Sequence, residues 1–273
     1  MNKKLIGIAI LLSSLSFLSC QNEIVDSTVY FDMDGIQVEK LNDSISDPEK
    51  YNRDNTIYRP DKKFTFGFTF HRDGQQLYAN SYRKGWQLVP ESDTLDIAQS
   101  YEMTILKGNP MAKYVPNYSQ TAILFNFPDK EGGNMTGLVE NKRNLWMHPT
   151  REGVFKILQL APFPFIEFPI EKGKSWSWQL DIGDGWSDER LVSWEGPIDN
   201  KITYTISDFT TLETSLGKLE CTLINAISSN KLGTTNATFY FNEKYGFVQM
   251  NYQNLDGSTM QISLDKIEEI TLN

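Results

Sequence analysis

The stretch Lys62-Lys63-Phe64-Thr65-Phe66-Gly67-Phe68-Thr69-Phe70 decides the fold class. Its phenylalanines recur every second residue, and side chains alternate across a strand, so Phe64, Phe66, Phe68 and Phe70 share one face. The same period returns along the chain. Tyr101, Met103 and Ile105 form one row, and Ile123, Phe125 and Phe127 another. Trp176, Trp178, Leu180 and Ile182 follow, then Ile202, Tyr204 and Ile206. Phe239 with Phe241, then Val248, Met250 and Tyr252, then Met260, Ile262 and Leu264 complete the series. Each row reads as a half-buried strand, with one face in a core and one in water. No segment keeps a 3.6-residue apolar period over three turns. The pattern predicts an all-β protein of roughly 12 to 14 strands, built as a curved antiparallel sheet, a sandwich or a clamp.

Turn chemistry separates the strands. Arg72-Asp73-Gly74, Asn254-Leu255-Asp256-Gly257 and Lys130-Glu131-Gly132-Gly133-Asn134 are breaks, and Asp-Gly supplies the positive φ of a hairpin turn. Ser46-Asp47-Pro48-Glu49 reads as the start of a short helix near residues 46–51. Residues 41–63 are polar and turn-rich and read as a long surface loop. Ala161-Pro162-Phe163-Pro164-Phe165-Ile166-Glu167-Phe168-Pro169 is apolar, but its three prolines bar it from a central strand. It reads as a crossing between two sheets or subdomains, or as an exposed apolar lip.

The chain has 273 residues, 40% hydrophobic and 22% charged, enough for a sizeable core and unlike a disordered chain. Its formal net charge is −9, and its Lys and Arg residues are scattered. Phosphate backbones repel such a surface, so nucleic acid is excluded as a partner.

Met1-Asn2-Lys3-Lys4 is basic, and the apolar stretch Leu5 to Leu18 is too short to span a bilayer. It ends Ser16-Phe17-Leu18-Ser19-Cys20, which resembles the cleavage site of bacterial lipoprotein signal peptides. Phe17 stands where that family prefers Leu, and Leu18 where it prefers a small residue, a looser form found in Bacteroidota. The resemblance implies cleavage before Cys20, acyl chains on its thiol and new amino group, and a membrane partner reached through that anchor. Gln21, in place of the Asp that retains such proteins at the inner membrane, points to the outer membrane. The implied organisation is a signal peptide over 1–19, a tether over 20–27 and a β-rich domain over 28–273, with two subdomains meeting near 161–169.

Three motifs carry a second resemblance: Phe168-Pro169-Ile170-Glu171-Lys172-Gly173-Lys174-Ser175-Trp176, Thr214-Ser215-Leu216-Gly217-Lys218-Leu219-Glu220-Cys221, and Tyr240-Phe241-Asn242-Glu243-Lys244-Tyr245-Gly246-Phe247-Val248. From about residue 165 onward the chain resembles a family of small β-rich bacterial envelope proteins of unknown function. The resemblance implies a curved antiparallel sheet or clamp, distantly like periplasmic lipoprotein carriers. It brings no catalytic residue with it.

The chemistry-bearing residues are few. His71 and His148 are the two histidines, and neither has metal-ligand spacing. There is no Gly-x-Ser-x-Gly elbow and no glycine-rich phosphate loop. Cys221 shares a strand face with Leu219 and Leu223 and reads as a small buried hydrophobe. Asp181-Ile182-Gly183-Asp184-Gly185-Trp186-Ser187-Asp188-Glu189 reads as a polar hairpin loop, with calcium binding as the alternative. Neither a metal nor a cofactor is expected. A pair of carboxylates for glycoside hydrolysis would have to be chosen from 35 acids, which sequence cannot do.

Asn141-Lys142-Arg143-Asn144-Leu145-Trp146-Met147-His148-Pro149-Thr150-Arg151 concentrates cations and aromatics in an acidic chain. Arg143, Trp146, His148 and Arg151, with Trp86 and Trp186, are the candidate binding surface for an acidic glycan or an envelope protein. The competing reading packs Leu145, Trp146, Met147 and His148 in a strand. The expectation is therefore a lipid-anchored envelope protein acting as a non-enzymatic binding or structural accessory. A carrier of apolar ligands, using the Phe64–Phe70 row and the Phe163–Phe168 segment, is the second reading. A glycan-binding or carbohydrate-active protein with exposed Trp is the third.

Overall fold

The computed structural model describes residues 29–41, 48–82, 85–90, 97–115, 119–127 and 133–271. The expected signal peptide, Cys20 and the tether lie outside them. Seventeen strands are present among the described residues, more than the alternation alone predicts. They are β1 (Tyr30–Met33), β2 (Ile36–Glu39), β3 (Lys62–Arg72), β4 (Gln75–Tyr82), β5 (Gly85–Val89), β6 (Ile97–Ala98), β7 (Ser100–Ile105), β8 (Thr121–Asn126) and β9 (Gly133–Glu140). Then come β10 (Asn144–Met147), β11 (Phe165–Glu167), β12 (Ser175–Ile182), β13 (Ile198–Thr214), β14 (Gly217–Asn230), β15 (Gly233–Asn242), β16 (Gly246–Gln253) and β17 (Thr259–Glu269). The extra strands are short ones: β10 is buried at all four positions, so alternation leaves no signature, and β2 alternates over only four residues. The helical segments are 3₁₀ turns, among them Pro48–Tyr51 at the predicted helix start.

One antiparallel sheet carries the fold. Its strands run β12-β13-β14-β15-β16-β17-β3-β7-β8-β9-β10-β11, with β4, β5 and β6 branching from β3. The eight apolar rows read from the sequence all face the interior of this sheet. Phe64, Phe66 and Phe70 are buried, and Phe68 is half-buried against Phe155 at 4.8 Å between ring centroids. Bulges between Ile206 and Asp208, Tyr240 and Phe241, and Leu264 and Lys266 bend the long strands. The bending brings the two ends of the sheet together. Phe165 of β11 packs on Trp176 of β12 at 5.8 Å, and Trp146 of β10 on Trp178 of β12 at 5.5 Å.

The Pro-rich segment makes this closure. Ala161, Phe163, Phe165 and Ile166 are buried, and β11 pairs with β10 as an edge strand before the chain crosses to β12. The exposed-lip reading is thereby overturned: three prolines fit an edge and a crossing, and the aromatics between them point inward. The 3₁₀ segment Gly153–Leu160 fills the space enclosed by the sheet, with Phe155 against Tyr101 and Phe127. Burying each such side chain contributes about 1.5–3 kcal/mol.

Residues 48–61 also depart from the surface-loop expectation. Asn55, Ile57 and Tyr58 are buried. The reason is Glu140 at the end of β9. Its Oε1 accepts from the N–H of Thr56 and Ile57 and from the Thr56 hydroxyl, at 2.7–2.8 Å, and its Oε2 accepts from the Tyr58 N–H at 2.9 Å. The carboxylate thus satisfies three backbone donors that have no ladder partner, which lets a polar segment dive into the core. Tyr58 reaches β16, where its hydroxyl accepts from the Phe247 N–H at 3.1 Å. A Cβ at Gly246 would collide with that ring, which fixes glycine there at φ +79°. Replacing Glu140 by Ala strands these donors. The expected loss is roughly 3–5 kcal/mol of unfolding free energy, read as a lower urea midpoint at unchanged slope.

Candidate functional site

A sheet that curls until its ends meet has a seam, and β1–β2 lies across it. Asp34 and Gly35, both at positive φ, form the turn of this hairpin. On one side the Gln37 N–H donates to Asn144 Oδ1 at 2.8 Å, and the Asn141 and Asn144 side-chain amides donate to Gln37 O at 2.9 and 3.1 Å. On the other side the Gln179 N–H of β12 donates to Asp34 O at 3.3 Å. A Cβ at Gly35 would stand 2.6 Å from Ser177 O, so the turn approaches β12 as only glycine can. Ile36 and Val38 pack inward, and the hairpin bridges the two sheet ends.

Beside the hairpin a half-open cavity of about 380 Å³ enters the seam. Met33 and Ile36 of the hairpin, Met135 of β9, Trp146 of β10 and Trp178 of β12 give it an apolar wall. His148, Arg151, Asp34, Gln120, Thr136 and Gln179 supply its polar side. The structure thus brings together three of the sequence-selected residues, Trp146, His148 and Arg151, and adds Trp178 and the methionines. Trp178 had the signal of strand alternation, but only the closure reveals that it faces Trp146.

His148 is buried and fixed at both nitrogens. Arg151 Nε donates to His148 Nε2 at 3.1 Å and Arg151 Nη2 lies 2.6 Å from it, while Nδ1 lies 2.7 Å from Pro149 O. Nε2 can only accept from a guanidinium, so Nδ1 carries the proton and donates to the carbonyl. Burial first, and the neighbouring Arg151 charge second, push the imidazole down to about 3.

The remaining candidates stand elsewhere. Arg143 is exposed at the β9–β10 turn, over the Tyr30 ring at 5.3 Å, away from the cavity. The Arg151 guanidinium caps Trp186 at 4.7 Å, and Arg190 caps Trp86 at 4.0 Å. Each of these half-buried rings gives one face to a cation. Trp146 and His148 are buried, so the segment 141–151 is a packed strand and turn rather than an open cationic surface. Arg190 also grips both oxygens of Asp188, at 2.8 and 2.6 Å, and Lys156 reaches the same carboxylate at 3.2 Å. Arg190 above all holds the Asp188 carboxyl down at about 2. Asp184 accepts the Gly196 N–H at 2.9 Å. The acidic loop 181–189 therefore spends these carboxylates on protein donors. Among the described residues no three His, Cys, Asp or Glu side chains converge to hold a metal ion. Cys221 is buried, and burial pushes its thiol up to about 11, which suits a core residue.

The two features that suggested an apolar carrier are core. The Phe64–Phe70 row packs against Tyr58, Tyr101 and Phe155, and Phe163 packs against Trp146 and Trp178. The seam cavity is lined by none of these phenylalanines.

No protein-family model matches the chain, and no curated protein matches it. Among solved structures it is similar to a protein of Bacteroides fragilis described as exported and as having a YmcC-like fold, at 9% identity and a TM-score of 0.41, over 78% of this chain and 97% of that one. It is similar to a protein of Parabacteroides distasonis described as a lipoprotein, at 10% identity and a TM-score of 0.43, over 78% and 97%. It is also similar to the hypothetical lipoprotein YmcC of Escherichia coli, at 11% identity and a TM-score of 0.34, over 74% and 84%. No site residue is carried over from them.

The His148 environment has a measurable consequence. Its folded-state pKa lies below the unfolded value, so the unfolded chain takes up the proton first as pH falls. The stabilisation is complete above about pH 6.5 and is lost progressively down to about pH 3. Between pH 7 and pH 5 this single group removes about 2 kcal/mol. Denaturant titrations across that interval are expected to show the slope in the wild type and a flattened one in His148→Gln.

Proposed function

We propose that this chain is an outer-membrane envelope protein held by acyl chains on Cys20, and that it works by binding rather than by catalysis. The observation that carries the reading is positional. The hairpin that walls the seam cavity begins at Tyr30, ten residues after Cys20. Ten residues reach at most about 35 Å when fully extended, so the anchor would hold the cavity close to the lipid surface. Several acyl chains give stable anchoring, since each buried methylene contributes about 0.8 kcal/mol. Two of the groups that most readily serve as nucleophile or base are committed elsewhere, while His71 lies on the outer face of β3, away from the seam cavity. His148 is clamped between Arg151 and Pro149, and the Cys221 thiol is buried.

The cavity wall favours a small amphiphile. Met33, Met135 and Trp178 match an apolar body, and Arg151 matches a carboxylate or another anionic head. The reading joins the envelope accessory expected from the sequence to a defined place on the β body.

Metabolic acyl labelling tests the anchor. The wild type is expected to carry label and to sediment with membranes, and Cys20→Ala to lose both. A free, unmodified amino terminus on the mature chain would overturn the placement. Binding at the seam is read from the fluorescence of the wall tryptophans, Trp146 and Trp178. A saturable change is expected on titration with a medium-chain fatty acid, weakened about tenfold in Arg151→Gln. A flat titration would remove the cavity from the reading.

A further inference from the structure

The outward face of the sheet has a composition unlike the rest of the chain. Strand register places Thr69, Gln261, Asn251, Thr238, Asn225, Thr205 and Ser175 side by side across β3, β17, β16, β15, β14, β13 and β12. A second row beside it reads His71, Thr259, Gln253, Asn236, Ile227, Thr203 and Ser177 across the same seven strands. Neither row holds an Asp, Glu, Lys or Arg, in a chain with 35 acids and 26 Lys and Arg. Charge flanks the two rows instead of entering them: Asp208, paired with Lys172, and Asp265, whose carboxylate lies over Gly67, stand on one side. Lys63 pairs with Glu102 and Glu268, and Lys266 with Glu268, at one end of the strands, and Lys201 with Asp199 at the other.

Solvent-facing strands ordinarily carry Lys and Glu, which keep sheet faces soluble and apart. A charge-free hydroxyl and amide face is suited to a partner whose own groups are neutral, because covering a charge costs far more than exchanging one neutral hydrogen bond for another. The side chains are within reach of each other but loosely bonded. Asn236 Nδ2 donates to Gln253 Oε1 at 3.3 Å, Gln249 Nε2 to Asn251 Oδ1 at 3.2 Å, and Thr238 Oγ1 to Asn225 Oδ1 at 3.4 Å. Each amide has two donor hydrogens and two acceptor lone pairs, so these contacts leave both kinds of site for a ligand. A shallow groove of about 320 Å³ runs over this face, lined by Thr69, Thr238, Asn251, Gln253, Thr259 and Gln261.

We infer that this face binds an uncharged polysaccharide. Sugar hydroxyls both donate and accept, as the side chains of the two rows do. Seven strands at 4.7–4.9 Å give a row about 29 Å long, the scale of an oligosaccharide segment rather than a single sugar. A protein partner is the poorer match, because protein interfaces centre on aromatic and Arg anchors and the two rows offer one large apolar side chain, Ile227. The inference does not rest on the seam cavity, which shares no residue with the two rows.

Affinity electrophoresis of the full chain in mild detergent tests it, with a β-glucan and an α-mannan as uncharged probes and polygalacturonate as the acidic one. At least one uncharged polymer is expected to retard the wild type equally at low and high salt, and polygalacturonate is expected not to. Thr238→Glu with Asn251→Asp places two charges in the middle of the row and is expected to weaken retardation about tenfold or more. Gln261→Lys repeats the test with the opposite charge. Lys218→Glu, at the far tip of β14, is expected to bind as the wild type. Unchanged thermal midpoints show that each variant is folded. The inference fails if neither uncharged polymer retards the wild type, or if the charged variants bind undiminished. It also fails if the wild type self-associates and the double variant abolishes that association, since a second copy would then cover the face.

Discussion

The structure depends on closing one antiparallel sheet on itself. A sheet of this length leaves two edges whose N–H and C=O groups have no ladder partner, and exposed edges recruit other chains. Here the edges are drawn together by rings rather than by a continuous ladder. Trp176 stacks on Tyr204 at 5.5 Å and 2° between planes, Phe165 packs edge-on to both, and Trp146 meets Trp178 beside Phe163. Tyr204 is tied to the crossing segment as well, its hydroxyl donating to Phe163 O at 3.0 Å. Such pairs add about 0.5–1.5 kcal/mol each beyond the area they bury. The closure therefore rests on a cluster that would disperse if the crossing segment 161–169 lost its register.

Ring packing closes a seam but does not satisfy its backbone, and the β1–β2 hairpin completes that task. It gives Asn141 and Asn144 an acceptor at Gln37 O and gives the Gln179 N–H of β12 a carbonyl. The asparagines act where a strand would otherwise continue, since the two side chains can both donate and accept. A joint made of a small hairpin and side-chain amides fills less evenly than a ladder. The cavity at Met33, Met135, Trp146 and Trp178 is the space such a joint leaves. Architecture and site thus have the same origin.

The fold was legible to the extent that the period of two expresses half-burial. All eight rows, from Phe64 to Leu264, lie on the inner face, and most of their strands are more exposed on the other side. The pattern is silent where that condition fails. β10 is buried at all four positions, and β2 is masked by its shortness, although Asp34-Gly35 marks its turn. Residues 55–58 read as surface because their polarity is visible in sequence, whereas the Glu140 carboxylate that receives them lies more than eighty positions away. The candidate site was legible by composition alone. Trp146, His148 and Arg151 stood out as unusual neighbours, yet their burial and their meeting with Trp178 follow from closure, which no local pattern encodes.

The two faces of the sheet also divide the chemistry of the chain. Inside, aromatic rings dominate, and the buried His148 imidazole links pH to stability rather than to an open site. Outside, charge collects in the loop around Asp188 and on the flanks of the sheet face, while two rows across β12–β17 and β3 hold no Asp, Glu, Lys or Arg. Alternation forces the two sequences of residues to be interleaved, so each strand encodes an interior and an exterior independently. Selection for a core fixes only every second position. The two rows without Asp, Glu, Lys or Arg are therefore not dictated by the core.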